Sequence, residues 1–306
     1  MTWAFISSII TSTDFVRIPR YFNGKRWVNM SPPKTTTQLY YETYGSGEPI
    51  VFLHGLGASI YTWRKVKDPL AAGNKLFLID LKGFGKSPKP RDDRYSILDQ
   101  ADLIYNFILE NDLRNLTVVG NSYGGAVSLL LAVRLCAENP NRLSKLILID
   151  SAGYKKFIPW FVKLLRMPIV GWLLVHLAPD KTLAKTALRE SYYNDQLITA
   201  ADIDAYAKPL GMKNGKYALL QTAKRAIPDD IEKWIDKYPT ISVPTLILWG
   251  EFDSVIPLEV GEMLDAAIPC SKLTTIPNTG HVPQEETPIP TVDLIKDFLK
   301  NSIPCP

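Results

Sequence analysis

Short apolar runs alternate with helix-like segments along the first half of the chain. The runs are rich in Val, Ile and Leu and too short for helices, so each predicts a buried strand. They lie at residues 49–53, 75–81, 116–119 and 146–149, and a Thr- and Tyr-rich strand is expected at 37–44. Between them, residues around 61–70, 96–110 and 126–138 carry apolar positions at helical spacing. This alternation predicts an α/β fold with a parallel sheet that helices cover on both faces.

The alternation stops near residue 151 and resumes near residue 245. Residues 154–236 show helical periodicity and no convincing strand. We therefore predict a core formed by residues 37–153 and 237–306, with a helical cap at 154–236. Large apolar side chains crowd two stretches of the cap on either side of Pro168, a pattern also seen in helices that lie on a membrane surface. Packing over the sheet is favoured, because the strand pattern resumes afterwards.

Residues 1–36 form an N-terminal extension with its own pattern. Asn23-Gly24 between two aromatic and basic stretches predicts a hairpin with a two-residue turn. Residues 1–35 hold five Lys or Arg and one Asp, a local charge of +4. An edge decoration is the favoured interpretation. The alternative is a basic, aromatic arm for a partner or an anionic surface.

Composition narrows the functional classes. The 306 residues, 46% of them hydrophobic, are ample for one large domain with an insertion. The net charge of +4 lies in the extension, so the rest is balanced and no nucleic-acid partner is expected. Three cysteines give no disulfide framework and no metal spacing, which favours a reducing, cytoplasmic location. We identify no signal peptide and no membrane span, and the sequence does not indicate an oligomeric state.

The stretch that carries chemistry is Gly120-x-Ser122-x-Gly124, with Gly125 behind it. A strand precedes it and a helix follows, which is the context of a nucleophile elbow. Small neighbours allow the helix to approach the strand closely, and the serine at the apex takes strained backbone angles. The alternative is a glycine-rich turn with an incidental serine.

A serine hydroxyl needs a base to remove its proton, and the base needs an orienting group. Of the three histidines, His281 is the best base, because it follows the last strand at the edge where side chains converge. His176 lies in an apolar helical stretch, where a packed core position is expected. Asp253 is the favoured acid, since the order Ser, Asp, His suits this elbow. Asp150 and Glu251 remain alternatives.

Two backbone N–H groups should form an oxyanion hole for the charge that develops during attack. One belongs to Tyr123, directly after the serine, and the other to Leu56 in the loop His54-Gly55-Leu56-Gly57.

Together these residues resemble the α/β-hydrolase superfamily over nearly all of residues 37–302. The similar blocks are 51–57, 80–87, 120–125, 248–253 and 280–281, in family order. The resemblance implies an eight-stranded, mostly parallel sheet with a helical cap. It also implies Ser122 as nucleophile, His281 as base and Asp253 as its partner, with no metal or organic cofactor.

The subfamily is harder to assign. Serine at the elbow argues against epoxide hydrolases and haloalkane dehalogenases, which use aspartate there. The elbow and residues 195–199 are similar to meta-cleavage-product hydrolases, which cut carbon–carbon bonds. Against this, Tyr206 stands where their cap arginine is expected, and Val282 where they usually have tryptophan. We therefore expect an esterase or lipase-like enzyme, with C–C hydrolysis second and a non-catalytic binding protein third.

The density of large apolar residues in the cap predicts an apolar substrate pocket for a small ester. Its expected lining is drawn from Trp160, Phe161, Trp172, Leu173, Tyr206, Val255 and Val282.

Overall fold

The computed structural model describes residues 38–301 and, before them, the two residue pairs 21–22 and 25–26. The chain divides into two units, Met1–Thr36 and Thr37–Pro306. In the first unit, β1 (Tyr21–Phe22) pairs antiparallel with β2 (Lys25–Arg26). The turn residues of the predicted hairpin, Asn23 and Gly24, lie outside the described residues, as does the rest of the extension.

The second unit contains a seven-stranded sheet in the order β3-β5-β4-β6-β7-β8-β9. Only β3 runs antiparallel to its neighbour. The strands are β3 Tyr41–Tyr44, β4 Glu48–Leu53, β5 Asn74–Ile79, β6 Leu116–Asn121, β7 Leu143–Ile149, β8 Thr245–Gly250 and β9 Ser271–Ile276. The prediction of a mostly parallel α/β sheet is confirmed.

The implied count of eight strands is wrong for the described residues, which supply seven. In the second unit two strands, β3 and β4, precede β5 within the described residues. β3 is an edge strand of four residues, so the described sheet ends there. The expected count of eight came from the family's usual sheet. Each strand of this chain still needs its own strand-forming run of residues, and the described residues supply seven such runs to this sheet.

Twelve α-helices cover this sheet or lie between its strands within the described residues. They are α1 Lys67–Ala71, α2 Ile97–Glu110, α3 Tyr123–Glu138, α4 Trp160–Arg166, α5 Pro168–Leu177, α6 Asp180–Ser191, α7 Ala200–Gly211, α8 Gly215–Arg225, α9 Glu232–Ile235, α10 Leu258–Ala267, α11 Pro283–Glu286 and α12 Pro288–Lys300. Four short 3-10 helices lie at Ile60–Trp63, Lys155–Phe157, Asp195–Leu197 and Tyr238–Thr240.

The central strand β6 explains why the sheet needs helices on both faces. All six of its residues are buried. Val118 belongs to the larger apolar core cluster and Val119 to the second one, because neighbouring side chains on a strand point to opposite faces. Helix α2 on one side begins with a capping box between Ser96 and Asp99, which satisfies its first backbone N–H groups.

Between β7 and β8 the described chain forms six α-helices, α4 to α9, and no strand. We call this segment, residues 154–236, the helical insertion. Helix α4 packs against α5 and α8, and α6 packs against α7. No single helix in the described residues is long and apolar enough to cross a membrane. Among the helix pairs of the described residues, α4 and α5 alone reach that length and composition together, and they are bent by 103°.

The cysteines differ from expectation. Cys270 is disulfide-bonded, whereas Cys136 is a free thiol. Composition gave no hint of this, since pairing depends on where the fold brings the sulfurs. Because disulfides are typical of oxidising compartments, cysteine usage no longer argues for a reducing location.

Candidate active site

Ser122 lies at a sharp turn between the last residue of β6 and the first residue of α3. Its backbone angles are φ 55° and ψ −117°, a conformation that costs a non-glycine residue about 1–3 kcal/mol. The turn is held from both sides. The Ser122 N–H donates to the Ile149 carbonyl at 3.0 Å, and its own carbonyl accepts from Ala126 and Ala152. The surrounding backbone therefore imposes the strain and projects the side chain from the sheet edge.

Two glycines make this turn possible. A Cβ at Gly124 would lie 2.1 Å from the Leu53 carbonyl oxygen, and one at Gly120 would lie 2.4 Å from the Gly124 carbonyl oxygen. Any side chain at either position would force α3 away from the strands. The G-x-S-x-G spacing is thus explained by close backbone approach on both sides of Ser122.

His281 and Asp253 meet at the same edge of the sheet. His281 Nδ1 lies 2.7 Å from Asp253 Oδ2, and both side chains are almost completely buried. The other carboxylate oxygen of Asp253 accepts the N–H groups of Val255 and Ile256 at 2.8 and 3.0 Å. Since the carboxylate is fixed from two directions, it can hold the imidazole with Nε2 free to accept a proton.

The two alternative acids have other partners. Glu251 is exposed and accepts the N–H of Asn278. Asp150 is fully buried, and one of its oxygens accepts the Gly250 N–H at 2.8 Å. Burial, followed by the nearby charge of Asp253, raises the pKa of Asp150 well above its usual value. Asp150 therefore favours its neutral form beside the Asp253 carboxylate.

The remaining histidines do not compete as bases. His54 is fully buried, its Nε2 accepts the Leu81 N–H, and its Nδ1 lies 2.8 Å from the Gly55 carbonyl. Burial lowers the pKa of His54, so a neutral structural role follows. His176 is exposed and stacks on Trp172, with ring centroids 4.6 Å apart. The expectation of a packed core position for His176 is wrong, because α5 turns this face outward.

The loop after β4 lies beside Ser122. A Cβ built on Gly55 would lie 3.3 Å from Ser122 Cβ. The N–H groups of Leu56 and Tyr123 donate no hydrogen bond to any described residue. An oxyanion hole needs two unused donors beside the serine, so the pair Leu56 and Tyr123 stays a prediction.

Asn121 is a positioning residue that the sequence analysis did not identify. Its side-chain amide donates to the carbonyls of Ile149 at 3.1 Å and His281 at 3.2 Å. It thereby ties the loop of the base to the strand that carries Ser122. Ser122 Oγ itself makes no hydrogen bond to a described residue, and apo sites often tighten only when substrate binds.

The residues predicted to line a pocket do not all come together. Trp160, Trp172 and Leu173 are 54%, 51% and 41% exposed, so they lie at the surface of the helical insertion. Phe161 is half-buried, and Val255 packs against the main core. Tyr206 and Val282, in contrast, share an apolar cluster with Leu188 and Tyr192. Val282 directly follows His281 in the sequence. An apolar pocket under the insertion stays a prediction.

A buried charge network beside His281 was also missed. Glu285 is completely buried and accepts hydrogen bonds from Arg64, Thr62, Tyr192 and Tyr206. Arg64 also pairs with Asp202 of the helical insertion at 2.6 Å. Burial opposes the charge of Arg64, but the two carboxylates outweigh it and raise the pKa of its guanidinium. These residues are scattered over the sequence, so spacing alone gave no signal.

One group of side chains in residues 38–301 is compact enough to hold a metal ion: Asp150, Asp253 and His281, whose ligand atoms lie within 4.8 Å of one another. His281 Nδ1 and Asp253 already share a hydrogen bond, which a cation would have to displace.

A strained serine after a central strand, with a His–Asp pair at the same sheet edge, defines the hydrolase class of this fold. The profile of the α/β hydrolase fold family matches residues 48–288, and the chain belongs to that family.

Several relatives align over most of both chains. An uncharacterized hydrolase, YugF of Bacillus subtilis, is 29% identical over 86% of this chain and 94% of its own. Lipase 3 of a Moraxella species is 27% identical over 83% and 78%. The 2-hydroxy-6-oxononadienedioate/2-hydroxy-6-oxononatrienedioate hydrolase 2 of Pseudomonas putida is 29% identical over 91% and 97%. An α/β hydrolase fold protein from Burkholderia ambifaria has a TM-score of 0.74 at 25% identity, over 85% and 93%.

Proposed function

We propose that this hydrolase cleaves carboxylic esters of apolar substrates through an acyl-enzyme on Ser122. The observation that carries the proposal is the 2.7 Å contact between His281 and Asp253 at the sheet edge where Ser122 emerges. Along the chain, the proposed nucleophile, acid and base then follow one another in the order that this elbow requires.

In the proposed mechanism, Ser122 Oγ attacks the ester carbonyl carbon while His281 Nε2 takes the hydroxyl proton. The negative charge on the carbonyl oxygen is stabilised by the N–H groups of Leu56 and Tyr123. The imidazolium formed on His281 is stabilised by Asp253 and returns the proton to the leaving alcohol. Water, activated by the same histidine, then hydrolyses the acyl-enzyme and restores the serine.

The helical insertion is proposed to cover this site as a cap. The His281 N–H donates to the carbonyl of Ser191, the last residue of α6, at 2.7 Å. Tyr192 and Tyr206 of the insertion pack against Val282, directly after the base. Apolar surface from the insertion therefore lies beside the reacting groups, which favours an apolar acyl or alcohol part of the substrate.

The second candidate is hydrolysis of a C–C bond in an anionic dienoate, the type of substrate named for the Pseudomonas putida relative. Such a carboxylate calls for a positioned arginine. Arg189 is exposed and pairs with Asp195 at 3.3 Å, and Arg225 donates to Gln221 at 3.2 Å. Tyr206, at the expected arginine position, donates its hydroxyl to Glu285. These contacts favour a neutral ester over a dienoate.

A fluorophosphonate probe tests the proposed nucleophile directly. The wild-type protein should become labelled, whereas Ser122→Ala should not. Ser144→Ala, on β7 away from the elbow, is the matched control and should label like the wild type. Absence of labelling in the folded wild-type protein would favour a non-catalytic binding protein instead. A panel of neutral and charged esters of graded length then tests the substrate class, and equal turnover of charged and apolar esters would contradict an apolar site.

A further inference from the structure

Helix α5 exposes apolar side chains around most of its circumference. Only Gly171 and Val175 of its ten residues are buried. Ile169 and Leu177 are 75% and 74% exposed. Eight of the sixteen exposed large hydrophobic side chains of the described residues lie within residues 160–177. They are Trp160, Met167, Ile169, Val170, Trp172, Leu173, Leu174 and Leu177, and we call them the apolar face. Exposed apolar side chains concentrated on two helices that pack together are typical of an interaction surface.

The charged residues within the segment that carries the apolar face have one sign. Residues 154–179 contain Lys155, Lys156, Lys163 and Arg166 but no Asp or Glu. Lys155 and Lys156 pair with Glu232 and Glu259 at 3.4 and 3.8 Å. Lys163 and Arg166 form no ion pair with a described residue, so two cations of α4 remain uncompensated next to the patch.

The geometry of helices α4 and α5 suits contact with the surface of a membrane better than crossing it. Helices α4 and α5 have seven and ten residues and meet at 103°. At about 1.5 Å per residue each is far shorter than the roughly 30 Å of a bilayer core. A Cβ at Gly171 would lie 2.4 Å from the Leu165 carbonyl oxygen, so the close packing of the two helices fixes their angle. The apolar face is therefore presented on a rigid, L-shaped pair.

Two exposed tryptophans lie on this pair. Trp160 and Trp172 are each about half exposed, and Trp172 stacks on His176, the one polar side chain of α5. Tryptophan rings are enriched at the level of lipid headgroups, where one edge is apolar and the other wet.

We propose that the apolar face binds the surface of an anionic phospholipid bilayer, with Lys163 and Arg166 at the headgroups. A second copy of this chain would bring the same cations against each other, and no acidic residue of 154–179 could compensate them. An anionic lipid surface satisfies both the apolar area and the cations. Binding does not depend on the proposed esterase activity, although a docked enzyme would meet apolar esters dissolved in the bilayer.

The first experiment measures flotation of the full chain with vesicles of phosphatidylcholine, with and without phosphatidylglycerol, in the absence of substrate. The wild-type protein should bind the anionic vesicles more tightly, and salt should weaken the binding. Ile169→Ser/Leu177→Ser should weaken it about tenfold or more, because both side chains would be inserted in the interface. Ile289→Ser, equally exposed at 75% on α12, is the matched control and should bind like the wild type.

The second experiment tests the charges and the orientation. Lys163→Gln/Arg166→Gln should lose about tenfold in affinity for anionic vesicles, whereas Lys272→Gln/Lys300→Gln, exposed on β9 and α12, should lose none. Brominated lipids should quench part of the wild-type tryptophan fluorescence, and Trp172→Phe should reduce that quenching.

Three results would overturn the proposal. One is wild-type protein that binds no vesicles, and another is equal loss in the control variants. The third is a wild-type dimer in buffer that Ile169→Ser/Leu177→Ser converts to a monomer without any loss of vesicle binding. Fluorophosphonate labelling of Ser122 is measured in a separate assay for each variant. The proposal of vesicle binding can therefore be contradicted while the proposal of ester hydrolysis is supported, and the reverse.

Discussion

A carboxylate oxygen of Asp150 lies within 4.8 Å of one of Asp253, yet of the two only Asp253 hydrogen-bonds to His281. Two carboxylates this close in a buried site do not both ionise readily. Burial, followed by the nearby charge of Asp253, raises the pKa of Asp150 and so favours its neutral form, while Asp253 hydrogen-bonds to His281.

This relationship predicts opposite outcomes for two conservative changes. Asp150→Asn should keep kcat/KM for an aryl ester within about an order of magnitude, because an amide imitates the protonated acid and still accepts from Gly250. Asp253→Asn should lower kcat by about 10⁴-fold, since the imidazole would lose its orienting charge. If Asp150→Asn were inactive and Asp253→Asn nearly normal, the acid would have to be reassigned.

Ser122→Ala and His281→Ala should each reduce kcat by about 10⁴-fold or more, and the double variant should be scarcely worse. The reason is that the two side chains act as one unit in the proposed proton transfer. Steady-state kinetics on a p-nitrophenyl ester measures this, with thermal unfolding to show that each variant is folded. Additive losses in the double variant would mean that the two residues act independently.

Arg64→Met should lower the free energy of unfolding by about 3–5 kcal/mol, because it leaves the Glu285 carboxylate buried without its cation. Arg64→Met/Glu285→Gln should recover much of that loss. Urea unfolding measures both. Arg114→Met is the control. It removes a surface ion pair between Arg114 and Asp112, which are 63% and 65% exposed, and should change the free energy of unfolding little.

The stability should also depend on pH through His54. Its folded pKa lies below the usual 6.5, so the unfolded chain binds a proton there first. The stabilisation is therefore complete above about pH 6.5 and is lost as the pH falls towards the folded pKa, by up to about 1.4 kcal/mol per pH unit.

Urea unfolding between about pH 5 and 8 checks this contribution, over the range in which histidine titrates. His54→Gln should be less stable at neutral pH but should lack this part of the pH dependence. His176→Asn, at an exposed position, should keep the wild-type slope. An unchanged slope in His54→Gln would assign the pH dependence to other groups.

Substrate ranking tests the reaction class. Short or medium p-nitrophenyl esters should be hydrolysed with a higher kcat/KM than a vinylogous diketone acid, because Arg189 and Arg225 have other partners. Arg189→Ala and Arg225→Ala should leave this ranking unchanged. The reverse ranking, with either variant selectively losing C–C cleavage, would promote the second candidate.

The sheet and the elbow could be predicted because their signals are local. Residues 116–119 form a buried apolar run, and the glycines around Ser122 are required by contacts within one strand–turn–helix unit. The proximity of Asp253 and His281 could be predicted from the order of the strands along the chain, since the loops that follow parallel strands lie at one edge of the sheet.

Other features needed the fold itself. The helices within residues 160–177 carry apolar residues on nearly every face, so no apolar–polar periodicity marks a buried side. The sequence therefore could not show that Ile169 and Trp172 of α5 are exposed. Arg64, Asp202 and Glu285 come from distant segments, and a charged residue read alone looks like a solvated one. The amide of Asn121 is similarly informative only once its two carbonyl partners are known.

The helical insertion also affects how this protein is made. Strand β7 ends at Ile149, but its partner β8 begins only at Thr245. At about 5–20 residues per second, the ribosome needs roughly 5–20 seconds to synthesise the segment between them. During that interval β7 is an unpaired edge of a growing parallel sheet, open to pairing with other chains. During synthesis the longest-exposed sheet edge should therefore be β7, the strand that pairs with β6 just before Ser122, and we expect a chaperone to be needed most there.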